Sequence, residues 1–272
     1  MVIGKIILKI AGLWYVKNMK LIRNKTKVSL QKFNVIAGFF HLILAAIVVI
    51  VSNDFSLPVT ATYLAGPPGS AFTDPITLFS VPIGYAVALF LGLSSFFHFL
   101  VASPKFFNKY ISGLKKNINI FRWIEYSISS SLMIVLIAQI TGISDYGALI
   151  GIVGANASMI LFGWLQERYV KPASGDWLPF IFGCIAGIIP WIIVLISVLS
   201  PMSPSDASPP GFVYGIIISI FILFNSFAYV QFRQYQAKGK WKDYLRGERA
   251  YIVLSFIAKA ALALQIFSNT LI

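Results

Sequence analysis

Seven long apolar stretches, separated by shorter polar connections, run along this chain of 272 residues. A helix rises about 1.5 Å per residue, so about 20 apolar residues cross the roughly 30 Å hydrocarbon core of a bilayer. Every backbone polar group in such a core must be satisfied within its segment, which favours helices. The pattern therefore predicts an all-α membrane protein with seven transmembrane helices. The predicted spans are 34–52, 77–101, 121–140, 147–166, 178–200, 211–232 and 250–271.

The composition agrees with a membrane protein and gives no sign of a metal enzyme. Apolar residues make up 58% of the chain and charged residues 11%, with a mean hydropathy of +0.81. A soluble fold of this size would have too few charges to cover its surface. The single cysteine, Cys184, excludes an intrachain disulfide and a multi-cysteine metal site. The two histidines form no HExxH motif.

The connections between the spans alternate in charge. The strongly basic segments are 1–33, 102–122 and 233–249. The connections without any Lys or Arg are 53–76, 141–146 and 201–210. Basic residues are retained in the cytoplasm, so the N-terminus is predicted to be cytoplasmic and the C-terminus extracellular after seven crossings. This orientation accounts for the net charge of +13, and we predict no nucleic-acid partner.

Two regions follow from this pattern. Residues 1–33 form a basic cytoplasmic N-terminal segment, whose apolar part with Lys5 and Lys9 could lie on an anionic lipid surface. Residues 34–272 form the seven-helix domain. In the first outer connection, 53–76, the stretch LAGPPGS indicates a tight turn, which is compatible with a short β-hairpin and equally with a disordered loop.

Four ionisable side chains fall inside the predicted spans, at similar depths in the cytoplasmic half. They are Lys259, Glu125, His41 and His98. Ionisable groups are costly in hydrocarbon and therefore indicate function. Arg122 and Glu167 lie near span ends, where snorkelling to the interface is a sufficient interpretation.

Lys259 and Glu125 allow two interpretations. The first is a buried structural ion pair. The second is covalent chemistry, because a lysine amine in an apolar pocket loses its proton readily and forms Schiff bases with aldehydes. The protonated imine then needs a buried anion, which Glu125 is placed to supply. One deep lysine in the last of seven helices, with one deep carboxylate in the third, is the arrangement of a retinal protein.

Three spans carry a family resemblance. The stretches RWIEYSISSSLMIVLIAQITGI (Arg122 to Ile143), GANASMILFGWLQE (Gly154 to Glu167) and LSFIAKAALALQIF (Leu254 to Phe267) resemble those of heliorhodopsins. The resemblance covers residues 20–272. Among rhodopsins this family is distinguished by a cytoplasmic N-terminus, which the loop charges predict independently.

The resemblance implies a rhodopsin-like bundle with all-trans retinal linked to Lys259 as a protonated Schiff base, isomerising to 13-cis in light. It implies Glu125 as the counterion and Ser255, one turn before the lysine, hydrogen-bonding nearby. It also suggests that His41 and His98, with water, form a polar cavity on the cytoplasmic side of the Schiff base.

Further residues are predicted to line the polyene slot of such a fold. They are Ser130, Asn156, Met159, Gly163, Trp191, Phe224 and Asn225. Gly163 would give room, the aromatic residues would clamp the chain and Met159 would fill irregular gaps. The alternative for each position is ordinary packing between helices.

A sensory or regulatory role is favoured over ion pumping or enzymatic activity. A proton pump needs ionisable groups on both sides of its Schiff base, and the outer halves of the predicted spans hold no carboxylate. The first rival is a light-driven or light-gated ion transporter. The second is a retinal-free transporter or membrane enzyme that uses Lys259 and Glu125 as an ion pair.

The expected partners are membrane lipid, a second copy of the chain and an unidentified cytoplasmic signalling protein. Two GxxxG motifs, Gly147 with Gly151 and Gly183 with Gly187, would let helices approach closely in a homodimer. Packing of these glycines within one chain is the alternative.

The orientation generates a direct prediction. In a Cys184→Ala background, cysteines introduced in 201–210 should react with an impermeant thiol reagent on intact cells, and those in 233–249 should not. The opposite labelling pattern would reverse the orientation deduced from the loop charges.

Overall fold

A computed structural model describes residues 29–199 and 209–270, with side chains up to 267. In these residues, seven helices are long and apolar enough to cross a membrane, as predicted. An eighth, shorter helix, α3, follows the second span. The helices are α1 Ser29–Val51, α2 Ile83–Ala102, α3 Pro104–Leu114, α4 Ile120–Ile140, α5 Tyr146–Tyr169, α6 Leu178–Leu199, α7 Gly211–Gln236 and α8 Tyr244–Thr270. Most of the basic segment 1–33 and of the connection 201–210 lies outside the described residues.

The predicted boundaries differ most from the structure in two places, and the first span also begins earlier, at Ser29. The second span begins at Ile83 and not at 77, because residues 76–82 pair with another strand. The last helix begins at Tyr244 and not at 250. Its polar first turns reduce the hydropathy, but Glu248 there is buried and paired within the bundle. Hydropathy detects neither strand pairing nor buried ion pairs.

A two-stranded antiparallel sheet precedes the second span. Strand β1, Ser56–Ala61, pairs with β2, Ile76–Pro82, and the register shifts between Val59 and Thr60. Thr60 fixes the sheet to the connection between α4 and α5, because its N–H donates to Ser144 O at 2.8 Å and the two hydroxyls lie 2.9 Å apart. The sheet therefore covers this end of the bundle.

Helix α4 lies at the centre of the bundle. Of its most apolar window, 61% is buried, against 22–44% for the other spans. Met133, Ile134 and Ile137 of α4 belong to one apolar core with residues of the surrounding helices. These include Phe90 of α2, Ile152 of α5, Val194 of α6, Ile220 of α7 and Leu262 of α8. The half of the bundle nearer the sheet is therefore largely apolar, with Gln139 as a buried polar side chain.

The opposite end, called here the basic end, carries α3 and the connections 170–177 and 237–243. Helix α3 buries Tyr110, Ile111 and Leu114 against the bundle and leaves its lysines exposed. The polar residues of the bundle interior are concentrated in the half next to this end.

The two GxxxG motifs have different surroundings. A methyl group at Gly187 would overlap the side chain of Met159, and one at Gly183 would lie 3.3 Å from Phe162 Cβ. This motif of α6 therefore packs against α5 within the chain. Around Gly151 of α5, by contrast, nothing described lies within 4 Å of the same position.

Candidate functional site

A lysine and a carboxylate meet in the interior of the bundle. Lys259 of α8 is 3% exposed, and Glu125 of α4 is 5% exposed. The ammonium of Lys259 donates to Oε1 of Glu125 and to Oγ of Ser94, on α2. The Ser94 hydroxyl lies 2.7 Å from the same carboxylate oxygen. Three helices thus converge on one nitrogen atom, and the site combines a buried cation with its anion.

Sequence reasoning missed Ser94. The hydroxyl of a serine within a span usually donates to a backbone carbonyl of the preceding turn. Ser94 Oγ does lie 3.2 Å from Phe90 O. Its spacing therefore carries no signal. The packing of α2 against α4 places its hydroxyl beside Glu125.

The two predicted histidines lie together on the α1–α2 side. Their rings stack with centroids 5.6 Å apart and an interplanar angle of 9°. His98 Nδ1 lies 2.9 Å from Asn34 Oδ1. His41 is fully buried, and its ring nitrogens have no hydrogen-bond partner among the described residues. His98 and Glu125 line one small cavity of about 40 Å³.

Ser255 lies near Lys259, as expected, but without the expected hydrogen bond among the described residues. It is buried one turn before Lys259 and lines the cavity beside the lysine. In the described residues it makes no hydrogen bond to Lys259 or Glu125. Ser94 occupies the hydrogen-bonding position that the resemblance assigns to Ser255, because α2 and not α8 presents a hydroxyl to the nitrogen.

A second, largely apolar cavity of about 90 Å³ begins at Lys259 and lies between α4, α5, α7 and α8. A neighbouring cavity of about 330 Å³ extends towards α6. Met159, Gly163 and Phe224 line both cavities, so the two are adjacent. Together they reach the size range of small-molecule sites, about 300 Å³ and above.

The predicted slot residues divide among these cavities. Ser130 lines the cavity at Lys259, and Trp191 and Asn225 line the larger one. Trp191 packs edge-on against Phe224, with ring centroids 5.7 Å apart. Asn156 lines neither cavity and donates to Ser130 Oγ at 2.7 Å.

Asn225 contributes little to a slot. Its side chain donates to Phe221 O of its own helix at 2.8 Å and is exposed. The lining residues that were not predicted from the sequence include Trp123, Tyr126, Gln231 and Tyr251. Aromatic residues are frequent throughout the chain, so their spacing alone does not separate slot from packing.

Gly163 makes close approach possible at the slot. A Cβ atom there would lie 2.6 Å from the Trp123 ring and 3.3 Å from Gln231 Oε1. Gln231 Nε2 donates to Gly163 O at 2.9 Å. The absence of a side chain at this position lets the indole ring lie against α5 and shape the cavity wall.

A second buried polar cluster lies nearer the basic end, and it corrects the snorkelling interpretation. Arg122 is 6% exposed and Glu167 is 5% exposed, so neither side chain reaches the surface. Arg122 donates to Glu167 through Nη2 and to Glu248 through Nη1, the latter at 2.5 Å. We call Arg122, Glu167 and Glu248 the arginine cluster. Buried charges require such partners.

The fold and the site define a seven-helix membrane protein of the rhodopsin class. Cyanorhodopsin from the cyanobacterium Tolypothrix sp. NIES-4075 matches with a TM-score of 0.58 and 11% identity, covering 90% of this chain and 94% of that chain. Exiguobacterium sibiricum rhodopsin matches with a TM-score of 0.60 and 14% identity, covering 89% and 95%. At these identities the matches establish the fold alone.

The family model for heliorhodopsin matches residues 30–271, so the chain belongs to the heliorhodopsin family. A search of curated proteins finds no match.

Rhodopsin family membership implies a retinal chromophore, and the residues present fit one. Lys259 is a buried amine beside an anion, at one end of an apolar cavity lined by Met159, Phe224 and Trp123. At Gly163 the missing Cβ atom lets the Trp123 ring lie against α5 and form part of the cavity wall.

Proposed function

We propose that this protein is a sensory or regulatory retinal photoreceptor that carries all-trans retinal on Lys259 as a protonated Schiff base. The observation that carries the proposal is the buried Lys259 nitrogen, paired with Glu125 at the end of an apolar cavity. Bound retinal supplies a visible-light-absorbing polyene that isomerises on excitation.

The chain's own residues set the charge balance at the attachment point. Glu125 neutralises the cation at the Lys259 nitrogen, and Ser94 holds the carboxylate oxygen by a hydrogen bond. Both groups are sealed from solvent, which strengthens their interaction relative to water. Isomerisation would displace the nitrogen from this arrangement and alter the hydrogen bonds near His98 and Asn34.

The distribution of polar groups supports sensing over pumping. The buried carboxylates of the described residues are Glu125, Glu167 and Glu248. Glu125 lies beside Lys259, and the other two lie nearer the basic end. In the other direction the bundle is filled by Ile134, Ile137, Ile220 and Leu262. No charged path through the described residues crosses this apolar half, so a proton or ion released at Lys259 lacks a route to that side.

The proposed orientation places the basic end in the cytoplasm, with the N-terminus inside. The polar changes near Glu125 then face the compartment that holds a signalling partner. The runner-up function is a light-driven or light-gated ion transporter. It would use the same buried pair, Lys259 and Glu125.

A homodimer through the exposed glycine face of α5 is part of the proposal. Gly151→Leu should shift the protein in detergent towards monomers, because a leucine side chain would keep two copies of α5 from approaching closely. Within one chain no described atom lies within 4 Å of the position of this side chain's Cβ atom. Size-exclusion chromatography with light scattering measures this. Gly187→Leu is the contrasting variant, since it should destabilise the α5–α6 contact without a specific effect on assembly. An unchanged mass for Gly151→Leu would exclude this face.

Removing the lysine tests the attachment. Lys259→Ala should abolish the visible absorption band after retinal addition, because no other described lysine is buried in a span. Absorption spectroscopy of purified protein measures this, with Lys171→Ala, at an exposed position, as the matched control. A visible band retained in Lys259→Ala would disprove the Schiff-base assignment.

The counterion generates a second spectroscopic prediction. Glu125→Gln removes the anion beside the nitrogen and should shift the protonated band to longer wavelength, because the ground state loses more stabilisation than the excited state. It should also increase the near-ultraviolet, deprotonated fraction at neutral pH, since the cation loses its partner. His98→Ala should change both properties less, because a neutral ring supplies only a dipole.

If Glu125→Gln left the band position and the deprotonated fraction unchanged, another group would have to act as the counterion. Glu167 would then be the next carboxylate to test, although Arg122 already binds it.

The absence of pumping is testable in cells. Illuminated cells that express the protein should show no sustained pH change sensitive to a protonophore, because the apolar half of the bundle offers no relay. A known proton pump expressed in the same cells provides the positive control. A reproducible light-driven pH change would favour the transporter function.

A further inference from the structure

The buried charges of the bundle do not cancel. Apart from the histidines, the charged side chains buried in residues 29–199 and 209–267 are Arg122, Glu125, Glu167, Glu248 and Lys259. Lys259 pairs with Glu125, which leaves the arginine cluster with one cation and two carboxylates. An uncompensated buried anion is costly, and binding one proton removes the excess charge.

Both carboxylate oxygens of Glu167 accept hydrogen bonds. Its Oε2 accepts from the backbone N–H of Asn119 at 2.9 Å and from Trp123 Nε1 at 2.6 Å. Its Oε1 accepts from Arg122 and from the Tyr244 hydroxyl, the latter at 2.7 Å. The two N–H groups donate only, so a proton on Oε2 would displace two hydrogen bonds.

Glu248 has fewer fixed donors. Its Oε2 accepts from Arg122, and its Oε1 accepts from Asn119 Nδ2 at 2.8 Å and from the Tyr110 hydroxyl at 2.9 Å. A tyrosine hydroxyl both donates and accepts, so it can reverse towards a protonated carboxyl group. Burial and the neighbouring Glu248 raise the pKa of Tyr110 well above its ordinary value of 10, so the hydroxyl keeps its proton.

Glu248 is also connected to the lysine site. The small cavity of about 40 Å³ is lined by Glu125 and His98 at one end and by Glu248 and Tyr110 at the other, whereas Glu167 does not line it. A water molecule takes about 30 Å³ in the liquid, so a cavity of this volume with polar side chains in its wall accommodates water. Asn34 joins the two ends, bonding His98 at 2.9 Å and Tyr110 at 3.4 Å.

We propose that Glu248 is a proton-binding site that exchanges one proton with the Glu125–His98 end of this cavity. An N–H or O–H group at that end gives up a proton and one positive charge. The proton forms an O–H bond on Glu248, which becomes neutral, and nothing else is transferred. The light-driven part of this exchange rests on the proposed retinal function, whereas proton binding at Glu248 does not.

The groups that face Glu248 come from several elements and set its proton affinity. They are Arg122 of α4, Tyr110 of α3, Asn119 before α4, Glu167 of α5 and Tyr244 and Tyr251 of α8. The Arg122 cation attracts a charged Glu248, whereas the Glu167 carboxylate repels it. Glu167→Gln should therefore make Glu248 harder to protonate, because the cluster then becomes neutral without a proton.

The first experiment uses the full chain prepared without retinal. Infrared spectra recorded during an acid titration should show a buried protonated carboxyl band, lost in Glu248→Gln and shifted in frequency in Glu248→Asp. The glutamine still accepts from Tyr110 and Asn119, which favours folding. Asp243→Asn, at an exposed position of the same end, is the control and should leave the band unchanged. A wild-type titration in Glu248→Gln would overturn the proposal.

The second experiment uses the retinal-loaded protein. Light-minus-dark infrared spectra should show transient protonation of a carboxyl group that is lost in Glu248→Gln and rises more slowly in Tyr110→Phe. A visible band without this signal, or with the signal intact in Glu248→Gln, would overturn exchange with the Glu125 end. If no visible band forms, the photoreceptor function fails, and the apoprotein titration still decides whether Glu248 binds a proton.

Discussion

Pairing of charge inside a medium without water is the constraint on which the rest of this structure depends. A charged side chain buried alone costs far more than a marginally stable fold can supply, so each buried ion needs a partner and hydrogen bonds. Lys259 and Glu125 meet this requirement together, and Ser94 completes it. Arg122 meets it with two carboxylates. The helices α2, α4, α5 and α8 are therefore held in register at these two points.

Helix α4 connects these two sites because it supplies Arg122 and Glu125 less than one turn apart. Asn119 caps its start, accepting from the Arg122 N–H at 3.2 Å, and also bonds Glu167 and Glu248. A change at the lysine nitrogen is thus separated from the arginine cluster by only a few side chains. This proximity couples the charge at Lys259 to the arginine cluster through α4.

The two halves of the bundle have different roles. The half nearer the sheet is close-packed and largely apolar, which gives rigidity and excludes ions. The half nearer the basic end contains the histidines, the arginine cluster and the small polar cavity. The buried charged side chains of the described residues therefore lie at Lys259 or between it and the basic end.

Sequence alone predicts the seven spans, the membrane class and the deep residues Lys259, Glu125, His41 and His98. Spans can be predicted because crossing the hydrocarbon core requires a long apolar run. Deep charges can be predicted because an ionisable residue within such a run is rare and costly. The start of the last helix was not predicted, because a hydropathy pattern counts Glu248 as polar and does not show that Arg122 pairs with it inside the bundle. The helix packing shows that Ser94 and not Ser255 binds the lysine nitrogen. It also shows that Arg122 and Glu167 are buried as an ion pair. Those contacts depend on the rotation and packing of whole helices, which no local pattern of residues encodes.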